Sequence, residues 1–319
     1  MSRYRGINLN KVKTFSVRSR KSKTQIAQCA KPLAPESNVN DFLEHLPKCL
    51  KAEDFKALVE AVLKARRKSK SIILMLGAHP IKCGLSPLLI DLMQSGFVTC
   101  LATNGAGAIH DLEMAFWGKT SEEVEKGIDD GSFGMARETA ETFNGICSSA
   151  GREDLGLGEA LGKRILELGP KFKKHSLLAN AYRLNVPACV HVAFGTDIVH
   201  QHPSFDPAST GKATHRDFRI LAEQVSGLND GGVVLHFGST VVLPEVFLKA
   251  LSVARNVKGK VERFTTANFD MIQHYRPNLN LVLRPTQKSG KGFSFTGHHE
   301  IMIPLLAWAL KSATTKRRR

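Results

Sequence analysis

From Phe97 to Asp111 the chain reads FVTCLATNGAGAIHD, an apolar run that stops in a Gly-rich turn and restarts as a helical pattern. A run without polar alternation suits a strand buried on both faces. The glycines let the backbone approach something closely. The helix start that follows presents unpaired N–H groups and partial positive charge to an anion. The unit predicts a buried strand, a ligand loop and a helix, and few folds accommodate many copies of it.

Further copies follow in both directions. SIILML (71–76), PACVHVAF (187–194) and GGVVLHF (231–237) read as buried strands, and KVERFTTA (260–267) and NLNLVLRP (278–285) as two more. Helical patterns lie between them, closing with EIMIPLLAWALK (300–311). This alternation predicts an α/β fold with a doubly wound, mostly parallel, Rossmann-like sheet. Ligands then bind outside the carboxyl ends of the strands. The loops of interest become 77–84, 103–111, 195–211, 238–244, 266–277 and 285–299.

Charge divides the chain further. The net charge is +16 over 319 residues, yet it sits mostly at the ends. Residues 1–32 carry Arg3, Arg5, Lys11, Lys13, Arg18, Arg20, Lys21, Lys23 and Lys31 and no acid, while Lys311, Lys316, Arg317, Arg318 and Arg319 close the chain. The expected organisation is a basic extended arm at 1–36, one α/β domain at 37–311 and a basic tail at 312–319. The ends suit contact with nucleic acid or an acidic protein, or simply solvation. Six scattered cysteines without a CxxC pair predict reduced thiols and a cytoplasmic setting. No apolar run nears the ~20 residues of a membrane span.

Several side chains in these loops could carry chemistry. Thr103, Asn104, Gly105 and Gly107 form the phosphate-cradle candidate, although neither a Walker loop nor a complete GxGxxG is present. Thr196 and Asp197 follow a strand, where Asp197 suits a ribose hydroxyl or a cationic substrate. His191, His200, His202, Asp206 and His215 crowd one stretch, with His298, His299 and Glu300 far along the chain, and are a metal alternative, without HExxH spacing. Lys288 and Lys291 lie in a Gly-containing segment and offer an amine nucleophile. Tyr275 with Arg276 suits a planar or anionic ligand, and His298 with His299 suits substrate contact or capping.

Taken in order, ARRKSKSIILMLGAHPIKCGLSPLLIDL (65–92), VTCLATNGAGAIHDLE (98–113), PACVHVAFGTDIV (187–199), GGVVLHFGSTVVLPEVFLKAL (231–251) and HHEIMIPLLAWAL (298–310) resemble segments of deoxyhypusine synthase. The resemblance spans roughly residues 55–310. It implies a Rossmann-like fold, bound NAD and a homotetramer. It also implies chemistry on an amine, since that family oxidises spermidine and passes an aminobutyl group to a lysine of a translation factor precursor. NAD contacts are then expected from Thr103, Asn104, Gly105, Gly107, Thr196, Asp197, Gly238, Ser239 and Thr240. Lys288, His298 and His299 are the catalytic candidates, and no metal is expected.

The pattern also departs from that family. Its paired acids fall at Ile109 and His110, leaving Asp111 alone in register. Leu243 and Pro244 replace its lysine and histidine, and His298-His299 stand where it has Asp-Ala. Its Trp-Gly-Lys is expected to have no counterpart, Lys288 and Lys291 being nearby but out of motif. A catalytically divergent, ligand- or partner-binding member of the family is therefore the second reading, and a histidine-based metal enzyme the third.

Overall fold

The computed structural model describes residues 2–315. Its centre is a six-stranded, all-parallel sheet in the order β3-β2-β1-β4-β5-β6, the strand order of dinucleotide-binding α/β folds. Helices cover both faces, so β1 (Ile72–Leu76), β2 (Cys100–Asn104), β3 (Ala188–His191), β4 (Val233–Phe237) and β5 (Thr265–Asp270) are buried almost throughout. That double burial is why these strands read as unbroken apolar runs.

The chain enters through α1 (Val39–His45) and α2 (Leu50–Arg67), then β1, a single turn α3 (His79–Lys82), α4 (Ser86–Gln94) and β2. Next come α5 (Gly105–Trp117), α6 (Val124–Asp130), α7 (Arg137–Glu153), α8 (Leu157–Leu168) and α9 (Leu177–Arg183), which lead into β3. The second half adds α10 (Pro207–Ser226), β4, α11 (Val242–Lys258), β5, β6 (Lys291–Thr296) and α12 (His299–Thr315). Residues 2–27 lie exposed, with short turns. The adjoining chain is tied to the domain by Lys31 N–H donating to His45 and Lys48 N–H donating to Gln28. The basic residues 316–319 fall outside the described residues. Among the described residues, no helix is long and apolar enough to cross a membrane.

Two sequence expectations need correction. NLNLVLRP is no strand: Pro277–Leu283 is a π-helical turn that buries Pro277, Asn280, Leu281 and Val282. Asn280 donates to Glu245 on α11, a bond that alternating apolar residues do not announce. The last strand is KGFSFT, expected to be ligand loop. It is an edge strand, with Phe293 and Phe295 turned inward and Lys291 and Thr296 exposed, the half-polar pattern such edges tolerate. In addition, β3 ends at His191 rather than Phe194, and β5 starts at Thr265.

Asp217, on α10, stitches three elements together. One carboxylate oxygen accepts from Gly158 N–H at the start of α8 (2.9 Å) and from Val190 N–H in β3 (2.7 Å). Its other oxygen has no partner. Burial pushes its pKa up to about 8 despite those bonds. A carboxyl raised on folding holds a proton that the unfolded chain has released. Its stabilisation is therefore full below the unfolded value, ~3.9, and is lost as pH rises through about 8. Asp217→Asn keeps the doubly accepting oxygen and removes the titration. We expect urea unfolding of this variant to depend less on pH between acid and mildly alkaline conditions than wild type. An unchanged pH slope would mean that Asp217 does not set it.

Candidate functional site

The strand order reverses between β1 and β4, and the loops beyond their carboxyl ends define the switch point. They touch there: a Cβ on Gly77 would lie 2.4 Å from the carbonyl oxygen of Gly238. Gly238 itself has φ +64° and lies under the His299 imidazole, so a side chain is excluded twice. Ser239 is buried and accepts from Leu243 N–H (3.3 Å), while Thr240 stays exposed at the entry to α11. His299 donates from Nε2 to Phe269 O (3.1 Å), so that in the neutral ring Nδ1 carries the lone pair, and Nδ1 has no partner. His298, its neighbour, is exposed.

The Gly-rich loop lies one strand away, after β2. Asn104 Oδ1 accepts from Gly107 N–H (2.9 Å), capping α5. Asp197 reaches over Gly105 and accepts from Ala106 N–H; a Cβ on Gly105 would fall 1.8 Å from Asp197 Oδ2. Thr103 donates its hydroxyl to Leu76 O (2.9 Å), and Gly107 leaves room for that hydroxyl. The loop is therefore built as a self-contained helix cap, with a carboxylate where the sequence reading placed a phosphate. An anion brought to these amides would meet Asp197. Burial pushes the Asp197 pKa up to about 6, against hydrogen bonds from Thr196, Ala106 and Ala193.

Beside this cap opens a cleft of about 660 Å³, walled by α5, the 118–124 segment, the start of α7 and Thr196–Ile198. Four carboxylates line it, Glu113, Glu122, Glu138 and Asp197, against two lysines, Lys82 and Lys119. Trp117 and Phe133 add aromatic surface. His110 and Glu113, three apart on α5, share its cleft-facing side. The Thr120 hydroxyl donates to Glu113 Oε2, and Thr139 donates to Oε1 (3.0 Å). Burial works against the Glu113 charge, but bonds from His110, Thr120 and Thr139 outweigh it and hold the carboxyl below its ordinary range.

This network fixes a tautomer. Thr120 has one hydroxyl proton and gives it to Glu113, so toward His110 Nδ1 (2.5 Å) it accepts. His110 therefore carries a proton on Nδ1, so that in the neutral ring the lone pair is on Nε2. An oriented imidazole backed by a carboxylate is the arrangement of a general base.

Sequence reasoning passed over His110, which registered only as a missing acid. It also passed over Trp117-Gly118-Lys119, a Trp-Gly-Lys tripeptide sought near the C-terminal end and present instead at the rim of this cleft. Asp111, the one acid kept in register, points inward. It accepts from Ser176 Oγ (2.6 Å), Leu177 N–H (2.6 Å) and Leu178 N–H (3.1 Å), anchoring α9. Burial raises its pKa to about 6 despite these donors.

Other candidates disperse. Lys288 is exposed and pairs with Glu262 (3.1 Å) at the amino ends of the strands, opposite the ligand side. Lys291 starts β6 at that same edge, so the amine-nucleophile expectation is corrected for both. Tyr275 is exposed, and Arg276 pairs with Glu245 (3.4 Å). The histidines of 191–215 do not converge. His191 is buried in β3, where burial lowers its pKa to about 4. His200 packs between Phe194 and Phe205. His202 donates to Gly134 O (2.8 Å), His215 stacks on Phe218, and Asp206 caps α10.

No protein-family model matches the chain, and no curated protein matches it. Solved structures do. Unliganded AgrE superimposes with a TM-score of 0.56 at 14% identity, over 82% of this chain and 33% of AgrE. Its ternary complex with ornithine and NAD+ gives 0.53 at 14% identity, over 83% and 33%. The chain thus spans about a third of the length of AgrE. A conserved LOR/SDH-type protein from Methanococcus maripaludis S2 gives 0.51 at 14% identity, over 88% of this chain and 74% of its own. A protein described as a deoxyhypusine synthase, from Entamoeba histolytica, reaches 0.49 at 10% identity, over 89% and 97%. At such identities the likeness is one of fold alone.

Proposed function

We propose that this chain is an NAD-using enzyme that acts on a small cationic amine held in the 660 Å³ cleft. The observation that carries the reading is the concentration of four carboxylates and two aromatic rings in one cleft of a chain whose net charge is +16. Focused negative potential with low-dielectric walls draws in cations. The faces of Trp117 and Phe133 add cation–π attraction. Glu113 is held ionised by its three donors, and Glu122 and Glu138 reach the same space from neighbouring segments.

His110 supplies the proton transfer. An ammonium must become a neutral amine before the carbon bearing it can release hydride, and the His110 imidazole, which lines the cleft, is the base. Thr120 and Glu113 hold the ring and stabilise the imidazolium that forms. Lys119, in the Trp-Gly-Lys turn, is exposed at the rim and serves as a second amine. A bound nicotinamide would accept the hydride.

For the nucleotide itself, the 103–107 cap does not fit a phosphate, because Asp197 fills it. The Gly238-Ser239-Thr240 turn fits better: it lies at the switch point, with the α11 N-terminus behind it and Thr240 exposed. AgrE, of similar fold, has been captured with ornithine and NAD+. A second role rests on the exposed arm, where Tyr4, Ile7, Phe15 and Ile26 alternate with basic residues, a surface suited to an acidic partner.

Calorimetric titration with spermidine and with ornithine tests the reading. We expect saturable binding that weakens with added salt and with Trp117→Ala. Thermal-shift measurement with NAD tests the cofactor, and absorbance of reduced nicotinamide tests turnover. A folded protein that binds neither amine at low salt would overturn the assignment.

A further inference from the structure

A second convergence of reactive side chains lies at the switch point, outside the cleft. His79 and Cys83 are four residues apart across the single turn α3, a spacing that puts both on one side of a helical turn. Glu300 arrives from the first turn of α12, more than two hundred residues later in the chain. Cys83 Sγ lies 3.3 Å from His79 Nε2 and 4.0 Å from Glu300 Oε2, and all three ligand atoms fall within 4.8 Å of one another. The other Glu300 oxygen is 3.7 Å from His298 Nδ1. His299 packs against His79 with ring centroids 5.4 Å apart, and its buried Nδ1 lone pair has no partner.

We propose that His79, Cys83 and Glu300 bind a divalent transition-metal ion, zinc by the chemistry of the donors, with an imidazole of His298 or His299 completing the coordination. Bonds of about 2.3 Å to sulfur and about 2.0–2.1 Å to nitrogen and oxygen place tetrahedral ligands roughly 3.3–3.6 Å apart. The His79–Cys83 edge already has that length. The Glu300 side chain is half exposed and has to move inward to close the other edges, from 4.0 Å to Cys83 and from no more than 4.8 Å to His79.

The donor set is one thiolate, imidazole and one carboxylate, which suits zinc or cobalt better than magnesium or calcium. Binding displaces the thiol proton to solvent, so charge balances without any redox partner. Phe269 O holds the proton of His299 on Nε2 and so keeps Nδ1 available. An outer carbonyl commonly orients a ligating histidine in this way. The site belongs to the crevice between β1 and β4, beside the Gly238 turn, and shares none of its ligands with the amine cleft, although Lys82 of the same turn reaches that cleft.

The full chain, stripped with chelator, is titrated with Co2+ alone and followed by absorption. We expect a one-to-one near-ultraviolet thiolate-to-cobalt band with tetrahedral visible bands, both bleached by Zn2+. Cys83→Ser should abolish the thiolate band, and Glu300→Gln, at an exposed position, should weaken affinity by roughly 10–100-fold. His110→Gln should leave the spectrum intact, which separates this proposal from the amine reading. A folded wild-type protein without the band, or a band that survives Cys83→Ser, overturns the site.

Discussion

Replacing His110 by glutamine is expected to slow amine turnover by about 10²–10⁴-fold while leaving amine binding nearly unchanged. Glutamine can still donate to Thr120 but offers no nitrogen that titrates. Glu122, Glu138, Asp197, Trp117 and Phe133 remain in place to hold the substrate. The loss should therefore fall on kcat rather than on KM. Thr120→Val separates base from positioner: it breaks the link between Glu113 and the ring, frees the His110 tautomer, and should cost less than removing the base. Turnover is read as reduced nicotinamide formed with spermidine or ornithine. If His110→Gln leaves kcat unchanged, the relay is structural and the proton goes elsewhere.

How far the sequence exposes this site follows from how its parts are distributed. The central strands are legible because burial on both faces demands unbroken apolar runs, as in SIILML and VTCLAT. KGFSFT is hidden because an edge strand keeps one polar row, and NLNLVLRP misleads because a buried π turn can alternate by chance. The cleft draws residues from position 82 to position 198, and no local spacing joins them. His110 was invisible as a base, since its role depends on Thr120 and Glu113 arriving together. Trp117-Gly118-Lys119 is different: the tripeptide is plain in the sequence, and only its place in the chain concealed it. The histidine cluster at 191–215 drew attention by proximity along the chain. Of the side chains that do converge, His79 and Cys83 are four residues apart, and Glu300 is separated from them by most of the domain.

Gly105→Ala gives the largest expected effect on the fold. The added Cβ would stand 1.8 Å from Asp197 Oδ2, so the carboxylate must leave the α5 N-terminus or the helix must retreat. Overpacking of this kind costs about 1–3 kcal/mol, and loss of a capping carboxylate adds about 1 kcal/mol. A destabilisation of roughly 3 kcal/mol is expected in urea unfolding, from these two effects together. Asp197→Ala alone should cost less, because Asn104 still caps Gly107. The double variant carries the decisive comparison. With the carboxylate gone, the added methyl group has space, so the two costs should fall short of additivity by about 1–3 kcal/mol. The pH dependence gives a second readout. Folded wild type holds a proton on Asp197 up to about pH 6, so its contribution is full below the unfolded value and lost as pH rises through about 6. In Gly105→Ala the expelled carboxyl returns to solvent and that part of the slope should vanish. Additive costs with an unchanged slope would mean that the two residues do not meet. The Gly loop would then be open to a phosphate after all.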